Sequence, residues 1–259
     1  MNSARAIRAA LTALLLVAAA RPAPAAAGNK ADAFEGRIQP ISGQLYRKAG
    51  RLELTLSGAT SLNDAFYKKY MGSLRATWHL NEFFSMGGSY ALGATARTGS
   101  DTVCPANQGC RPASASELAQ VPGKLQRVAA FELAWTPVYG KLNLLAEQVA
   151  HFDLGLLVGA DWITHGEVLS SEAAQAWADG GPGPRQVSTV GGHAGVGVRL
   201  FLTDALALRW EVKDLVYAVK VPNASRTLGS GRDVQNQLLT EIGLSLFFPF
   251  SPKPAGGTP

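Results

Sequence analysis

The sequence predicts an all-β protein, an eight-stranded antiparallel transmembrane β-barrel, and three observations predict it. After the first 27 residues, no segment offers about eighteen consecutive apolar residues, so helical membrane spans are excluded. Apolar and polar residues instead alternate with a period of two in eight segments. The links between these segments are alternately short and long, which is typical of barrels in a bacterial outer membrane.

The first 27 residues have the pattern of a secretory signal peptide. Arg5 and Arg8 precede an apolar stretch at 9–20, and small residues at 25–27 provide a cleavage site. A transmembrane anchor needs about twenty apolar residues, and Arg21 interrupts the stretch before that length. Cleavage removes three arginines and lowers the formal net charge from +5 to +2, so the basic composition indicates no nucleic-acid partner. We expect a periplasmic lead-in at 28–50, the barrel at 51–250 and a polar tail at 251–259.

Each of the first four predicted strands has one apolar face and one polar or small face. In the first strand, Leu52, Leu54 and Leu56 alternate with Glu53 and Thr55. Such alternation is typical of a strand whose two faces meet different surroundings. These four strands are predicted at 51–57, 70–80, 84–94 and 127–135.

The second four predicted strands repeat the pattern. In the seventh, Leu208 and Trp210 alternate with Arg209 and Glu211. Eight strands of this length cross a bilayer at a tilt, and an even number lets the chain close with both ends on one side. The ranges are 152–162, 190–202, 206–213 and 238–250.

The lengths of the links predict the orientation of the barrel. Tight turns at 81–82 and 203–204 belong on the periplasmic side, where outer-membrane barrels have short connections. The link at 137–151 also falls on that side, although it is longer, and we expect a helical turn around 142–148. Long polar links belong outside, and they are predicted at 97–126, 165–186 and 218–235.

The residues on the minority face favour a membrane barrel over a soluble one. A soluble lipocalin-like barrel or sandwich also alternates, but it places its charges in water around an apolar interior. Here mixed charges alternate with glycines, which suits a narrow lumen where charges pair, and aromatic residues sit near strand ends as in interfacial girdles. Besides Asp161, the predicted lumenal charge network comprises Glu53, Arg75, Glu132, Asp153, Arg199, Arg209, Glu211, Lys213 and Glu241.

The two cysteines, Cys104 and Cys110, lie close together in a polar link of an exported chain. A local disulfide in an oxidising compartment is therefore predicted. A metal site would need further Cys or His ligands at short spacing, and 101–111 contains none. We predict no metal and no cofactor.

Four segments carry a resemblance to a known family. They are QLYR at 44–47 with GRLEL at 50–54, SLNDAF at 61–66 with KY at 69–70, WTPVYGK at 135–141 with HFD at 151–153, and RWEVKD at 209–214 with GLSLFFP at 243–249. On these segments the chain resembles the myxobacterial outer-membrane β-barrel domain family. Its best-understood members are the outer-membrane barrels of the Glt gliding-motility complex. The resemblance implies contact with outer-membrane lipids and with other envelope proteins of a trans-envelope motility complex.

The preferred functional hypothesis is a non-enzymatic barrel that acts as a component of an envelope complex. An eight-stranded barrel is filled by its own side chains, so binding should reside in the loops or the periplasmic face. The proline and glycine among the candidates are equally explained by turn chemistry. The candidate periplasmic contact residues are Pro137, Tyr139, Gly140 and Lys141.

Two alternatives remain open from the sequence. A lipid-modifying enzyme would use His165, Glu167 and Ser170, although their spacing in a loop does not establish the geometry of a triad. A narrow ion or solute channel would use the lumenal charges, because charges inside a membrane are often functional.

Overall fold

Eight long strands form one closed antiparallel barrel. The computed structural model describes residues 46–64, 66–99, 101–104, 109–144, 148–222 and 231–250. Each barrel strand pairs with its neighbours along the chain, and the first strand closes the ring on the last. This confirms the predicted fold class. The predicted signal peptide, most of the lead-in and the polar tail lie outside the described residues.

The barrel strands extend beyond the alternating segments of the sequence. They are β1 (Leu52–Ser61), β2 (Tyr67–His79), β3 (Phe84–Arg97), β6 (Leu125–Leu144), β7 (Gln148–Gly166), β8 (Gln186–Phe201), β9 (Leu206–Lys220) and β10 (Arg232–Phe248). Between β3 and β6 lie a two-stranded sheet of β4 (Thr102–Val103) and β5 (Arg111–Pro112) and the short helix α1 (Ala115–Leu118). Helix α2 (Ser171–Ala178) lies between β7 and β8. No helix in the described ranges has the length and hydropathy of a membrane span.

The two ends of the barrel differ in their connections. At the short-turn end, the links are 80–83, 145–147 and 202–205, and β1 begins and β10 ends there. At the long-loop end, the links are 62–66, 98–124, 167–185 and 221–231. The links predicted to be long, after the third, fifth and seventh barrel strands, are long and lie at one end, whereas the link 62–66 at that end has only five residues.

The prediction for the link after the fourth strand was wrong. Instead of a helical turn, β6 continues to Leu144, and Lys141 pairs with His151 of β7. The strand passes Pro137, which has no backbone N–H to donate, through a register shift between Trp135 and Val138. The bulge accommodates the proline, and the two strands stay paired as far as Leu144 opposite Gln148.

Strands β9 and β10 also reach farther toward the long-loop end than predicted. The seventh strand was predicted to end at 213 and the eighth to begin at 238, whereas the two strands remain paired as far as Lys220 opposite Arg232. In this part of the barrel the inward residues Leu215, Tyr217 and Leu239 are apolar. The contrast between the two faces disappears there, so alternation could not mark these strand ends.

Apolar side chains cover the outside of the barrel, and polar ones fill the inside. Leu56, Leu74, Trp162 and Ile242 face outward and are 58%, 60%, 61% and 57% exposed, whereas Arg75 faces inward and is buried. A soluble barrel or sandwich has the opposite arrangement, because an exposed apolar belt of this size is unfavourable in water. Aromatic residues border the belt at the strand ends, with Trp78, Phe84 and Trp135 at the short-turn end and Tyr70 and Trp162 toward the other. The barrel is therefore a transmembrane β-barrel.

The belt predicts how an outward charge changes stability. We expect Leu74→Arg, near the middle of β2, to lower the free energy of unfolding in lipid vesicles by about 2–4 kcal/mol. The matched change Leu80→Arg, at the short-turn end, should cost about 0–1 kcal/mol because the arginine reaches water. Urea unfolding followed by tryptophan fluorescence measures both, and equal effects would contradict the membrane-spanning belt.

Candidate functional site

The structure brings all nine predicted network residues into the lumen, where they form ion pairs. At the short-turn end, Glu53 accepts from Arg199 at 2.9 Å and from His79 at 2.8 Å. Arg199 also donates to Asp153 at 2.8 Å, and Lys48 pairs with the same carboxylate. These groups are almost completely buried, so each charge depends on its partners rather than on water.

Two arginines organise the middle of the lumen. Arg75 lies 2.9 Å from Glu211 and 3.4 Å from Glu241. Arg209 pairs with Glu211 as well and lies 3.3 Å from Glu132. The two guanidinium groups, which come from β2 and β9, therefore join carboxylates of β6, β9 and β10 across the lumen.

Toward the long-loop end, a histidine connects two carboxylates. His193 lies 2.9 Å from Asp161 and 3.3 Å from Glu132. Its ring occupies the space beside Gly159, where an added Cβ would fall 2.3 Å from the imidazole Cε1. The glycine in β7 is therefore required for this contact. Lys213 pairs with Glu241 at a similar level along the barrel axis.

The network, as far as the described residues show, is close to electrically balanced. It contains five lysine or arginine side chains and six carboxylates, and His193 contacts two of those carboxylates. A buried charge without a partner is costly, which explains why both signs occur on the inward face. Sequence reasoning missed Lys48, His79 and His193. The inward position of the two histidines could have placed them there, whereas Lys48 precedes β1 and has no periodicity to indicate its direction.

Apolar side chains close the lumen on both sides of the network. The apolar plug toward the long-loop end comprises Met71, Leu125, Val128, Ile163, Val168, Leu215, Tyr217, Val219 and Leu239. The aromatic layer at the short-turn end comprises Tyr46, Tyr139, Phe201 and Phe247 with Ala207. Two cavities beside the network have volumes of about 20 and 30 Å³, which is space for isolated waters rather than for a solute.

The predicted periplasmic contact residues lie in the second half of β6. Tyr139 turns into the lumen, where its hydroxyl is 2.8 Å from His151 Nδ1 and its ring packs near Phe201. Gly140 lies against the ring of Phe152 in β7. The exposed members of the set are Pro137 and Lys141. A partner contact there stays a prediction.

The structure does not bring the residues of the enzyme alternative together as a triad. His165 is buried at the end of β7, and its Nδ1 lies 2.9 Å from the carbonyl oxygen of Gly166. The Ser170 hydroxyl caps α2 by accepting from the backbone N–H of Ala173 at 3.2 Å. No hydrogen bond joins His165, Glu167 and Ser170 within the described parts of the chain. Their spacing reflects a strand end followed by a helix cap.

A disulfide and several polar contacts connect the described residues of the link 98–124. Cys104 and Cys110 form the disulfide that the sequence predicts. Ser114 and Glu117 form a capping box at the start of α1, and Arg111 donates two hydrogen bonds to the Glu117 carboxylate at 2.8 and 2.9 Å. The hydrogen bonds from Arg111 and Ser114 lower the pKa of Glu117 to about 2.

The two longest links pack on each other above the barrel. The backbone N–H of Leu169 donates to the carbonyl of Ala119 at 2.9 Å, and Ala174 and Trp177 of α2 complete an apolar cluster with them. The described residues of 98–124 and 167–185 form what we call the long-loop platform. The helix caps and the contacts between the two links restrict the conformations of this surface.

No protein-family model matches the chain, and no curated protein matches it. Among solved structures it is similar to the N-terminal β-barrel domain of Pseudomonas aeruginosa OprF, with 8% identity and a TM-score of 0.42 over 77% of this chain and 98% of that one. It is also similar to the outer membrane protein OprG of P. aeruginosa, with 13% identity and a TM-score of 0.38 over 78% and 97%. The attachment invasion locus protein Ail of Yersinia pestis has 11% identity and a TM-score of 0.32 over 77% and 99%. These likenesses are distant, and the barrel is defined by the strand pairing described above.

The network predicts a large effect of removing one central cation. We expect Arg209→Ala to lower the free energy of unfolding by about 3–5 kcal/mol, because it removes one of five cations from a network of six buried carboxylates and leaves a negative charge uncompensated. Arg127→Ala, an exposed cation on the outer face of β6, is the control and should change stability little. Equal stability of the two variants in urea unfolding would show that water reaches the lumen.

The Glu117 contact predicts a pH dependence of the long-loop platform. A lowered pKa means that the ion pair stabilises the folded link at neutral pH and is lost as the pH falls through about 2. A carboxyl ¹³C titration in detergent micelles should therefore give a midpoint near 2. Arg111→Ala should raise it toward 4.5, and a midpoint near 4.5 in the unchanged protein would contradict the contact.

Proposed function

We propose that the protein is a non-enzymatic barrel of a bacterial outer membrane and a component of a cell-envelope complex. The observation that carries the proposal is the lumen, which is filled by paired charges and closed by apolar side chains toward both ends. Because the described residues leave no open passage through the lumen, the surfaces that remain for function are the two rims.

The outer membrane is the location that best suits this architecture. Closed antiparallel barrels with short turns on one side and long loops on the other are characteristic of that membrane. On this assignment the long-loop platform faces outward, and Pro137 and Lys141 face the periplasm. The disulfide in the link 98–124 also suits an oxidising compartment.

The long-loop platform supports a role in protein contact. Ordering a loop costs conformational entropy, and a surface that is already ordered avoids that cost when it binds. The disulfide, the capping box and the packing of α2 on the neighbouring link provide this order before any partner arrives. The sequence resemblance makes a trans-envelope gliding-motility machinery the specific complex that we propose.

The two alternatives have less support. An ion channel would need a water path, and the apolar plug and the aromatic layer lie across the lumen. A lipid-modifying enzyme would need a nucleophile beside a base, and the hydroxyl of Ser170 instead caps a helix.

Photo-crosslinking in intact cells tests the proposal. A photoreactive residue at Gln175 on α2 or at Lys141 near the short-turn end, both exposed, should give adducts with other envelope proteins, identified by mass spectrometry. The same residue at Leu74 in the lipid-facing belt is the matched control and should give lipid adducts only. If both rim positions give no protein adduct, the protein acts without an envelope partner and the proposal fails.

A further inference from the structure

The barrel wall opens between β8 and β9 at the long-loop end. Pairing between these strands stops at Gly191 opposite Tyr217. Strand β8 nevertheless starts five residues earlier, at Gln186, and pairs there with β7 only. Strand β9 continues three residues farther, to Lys220, and pairs there with β10 only. The segments 187–190 and 218–220 therefore face each other without pairing, and we call the gap the β8–β9 cleft.

A cavity of about 540 Å³ occupies the cleft, which is the size range of small-ligand sites. Its lining passes through the wall, because it includes the inward side chain of Val187 as well as the outward Ala218 and Lys220. Val168, which also belongs to the apolar plug, forms part of its inner side. The cavity thus ends at the plug and offers a binding site rather than a path through the lumen.

The lining of the cleft is mixed. Val168, Val187, Ala218 and Pro222 form its apolar part, Glu167 contributes one carboxylate, and two cations stand at its rim. Lys220 and Arg232 both line the cavity and are exposed, and neither forms an ion pair with any described residue. In contrast, every lysine and arginine of the lumenal network is paired.

The cleft opens next to the lipid-facing belt. Trp162 and Val190, which are opposite each other on β7 and β8, face outward beside it and are 61% and 66% exposed. Unpaired strand edges are costly at a membrane unless another molecule covers them. A neighbouring molecule that has both an apolar part and an anionic group would satisfy the lining and the cations together.

We propose that the β8–β9 cleft binds a lipid with an anionic phosphate headgroup from the outer leaflet. The phosphate contacts Lys220 and Arg232, and part of an acyl chain enters the cavity beside Val168, Val187 and Ala218. The assignment to that leaflet rests on the outer-membrane location proposed above. Lipid binding in the cleft does not require an envelope partner. The crosslinking experiment, which tests the partner, and the lipid-binding experiment below can therefore fail independently.

Native mass spectrometry of the full mature chain released from lipid nanodiscs tests this site. The nanodiscs contain equal amounts of phosphatidylglycerol and phosphatidylcholine. We expect the protein to retain one phosphatidylglycerol about tenfold more often than phosphatidylcholine. The double variant Lys220→Ala with Arg232→Ala should reduce the retention of phosphatidylglycerol about tenfold. Ala218→Trp, which fills the cavity without changing charge, should reduce retention by a similar factor.

The control is the double variant Lys68→Ala with Arg127→Ala. It removes two outward cations at the same end of the barrel, on β2 and β6, and should leave retention within about twofold of the unchanged protein. Heat-modifiable migration on a gel verifies that each variant is folded. Equal retention of the two lipids, an equal loss in the control, or full retention by Ala218→Trp would overturn the proposal. Displacement of the lipid by millimolar inorganic phosphate would also overturn it, since the site would then bind a free anion.

Discussion

The pairing of β1 with β10 is the constraint on which the rest of the molecule depends. Inside a bilayer no water is present to satisfy a free strand edge, so a sheet is stable there only if it closes. Ten residue pairs, from Leu52 opposite Phe248 to Ser61 opposite Leu239, make that closure. Closing after eight strands leaves an interior just wide enough for side chains.

That narrow interior explains the charges within it. The outward positions must be apolar because they face lipid, so the inward positions carry the polar residues. Their charges are then buried and need partners, which Arg75 and Arg209 provide by joining carboxylates from several strands. The same network connects strands that are far apart in the chain, and the apolar plug and the aromatic layer lie on either side of it. The rims are left as the places where the protein meets other molecules.

Much of this arrangement could be predicted from the sequence, because a strand between lipid and a polar lumen has a clear period of two. Leu52 to Leu56 and Leu208 to Glu211 show it directly. The pattern fails where the inward residues are apolar, as at Leu215 and Tyr217, and there Asp214 on the outer face even reverses it. It also fails at Pro137, where a bulge keeps a proline within a strand.

Other features depend on three-dimensional neighbours that no single segment encodes. Lys48 reaches Asp153 from outside any strand, and the capping role of Ser170 appears only once α2 is formed. The early end of the β8–β9 pairing is a matter of register between two strands that each continue regularly on their other side. The alternation of residues within one strand does not show where the pairing of that strand with a neighbouring strand ends.

Single-channel recording in planar lipid bilayers tests most directly whether the lumen is closed. The purified, heat-modifiable protein should insert and give no stepwise conductance in molar potassium chloride, because paired charges and apolar side chains fill the lumen. Stable, reproducible conductance steps from the inserted barrel would contradict the closed lumen, and the assignment of function to the rims would fall with it.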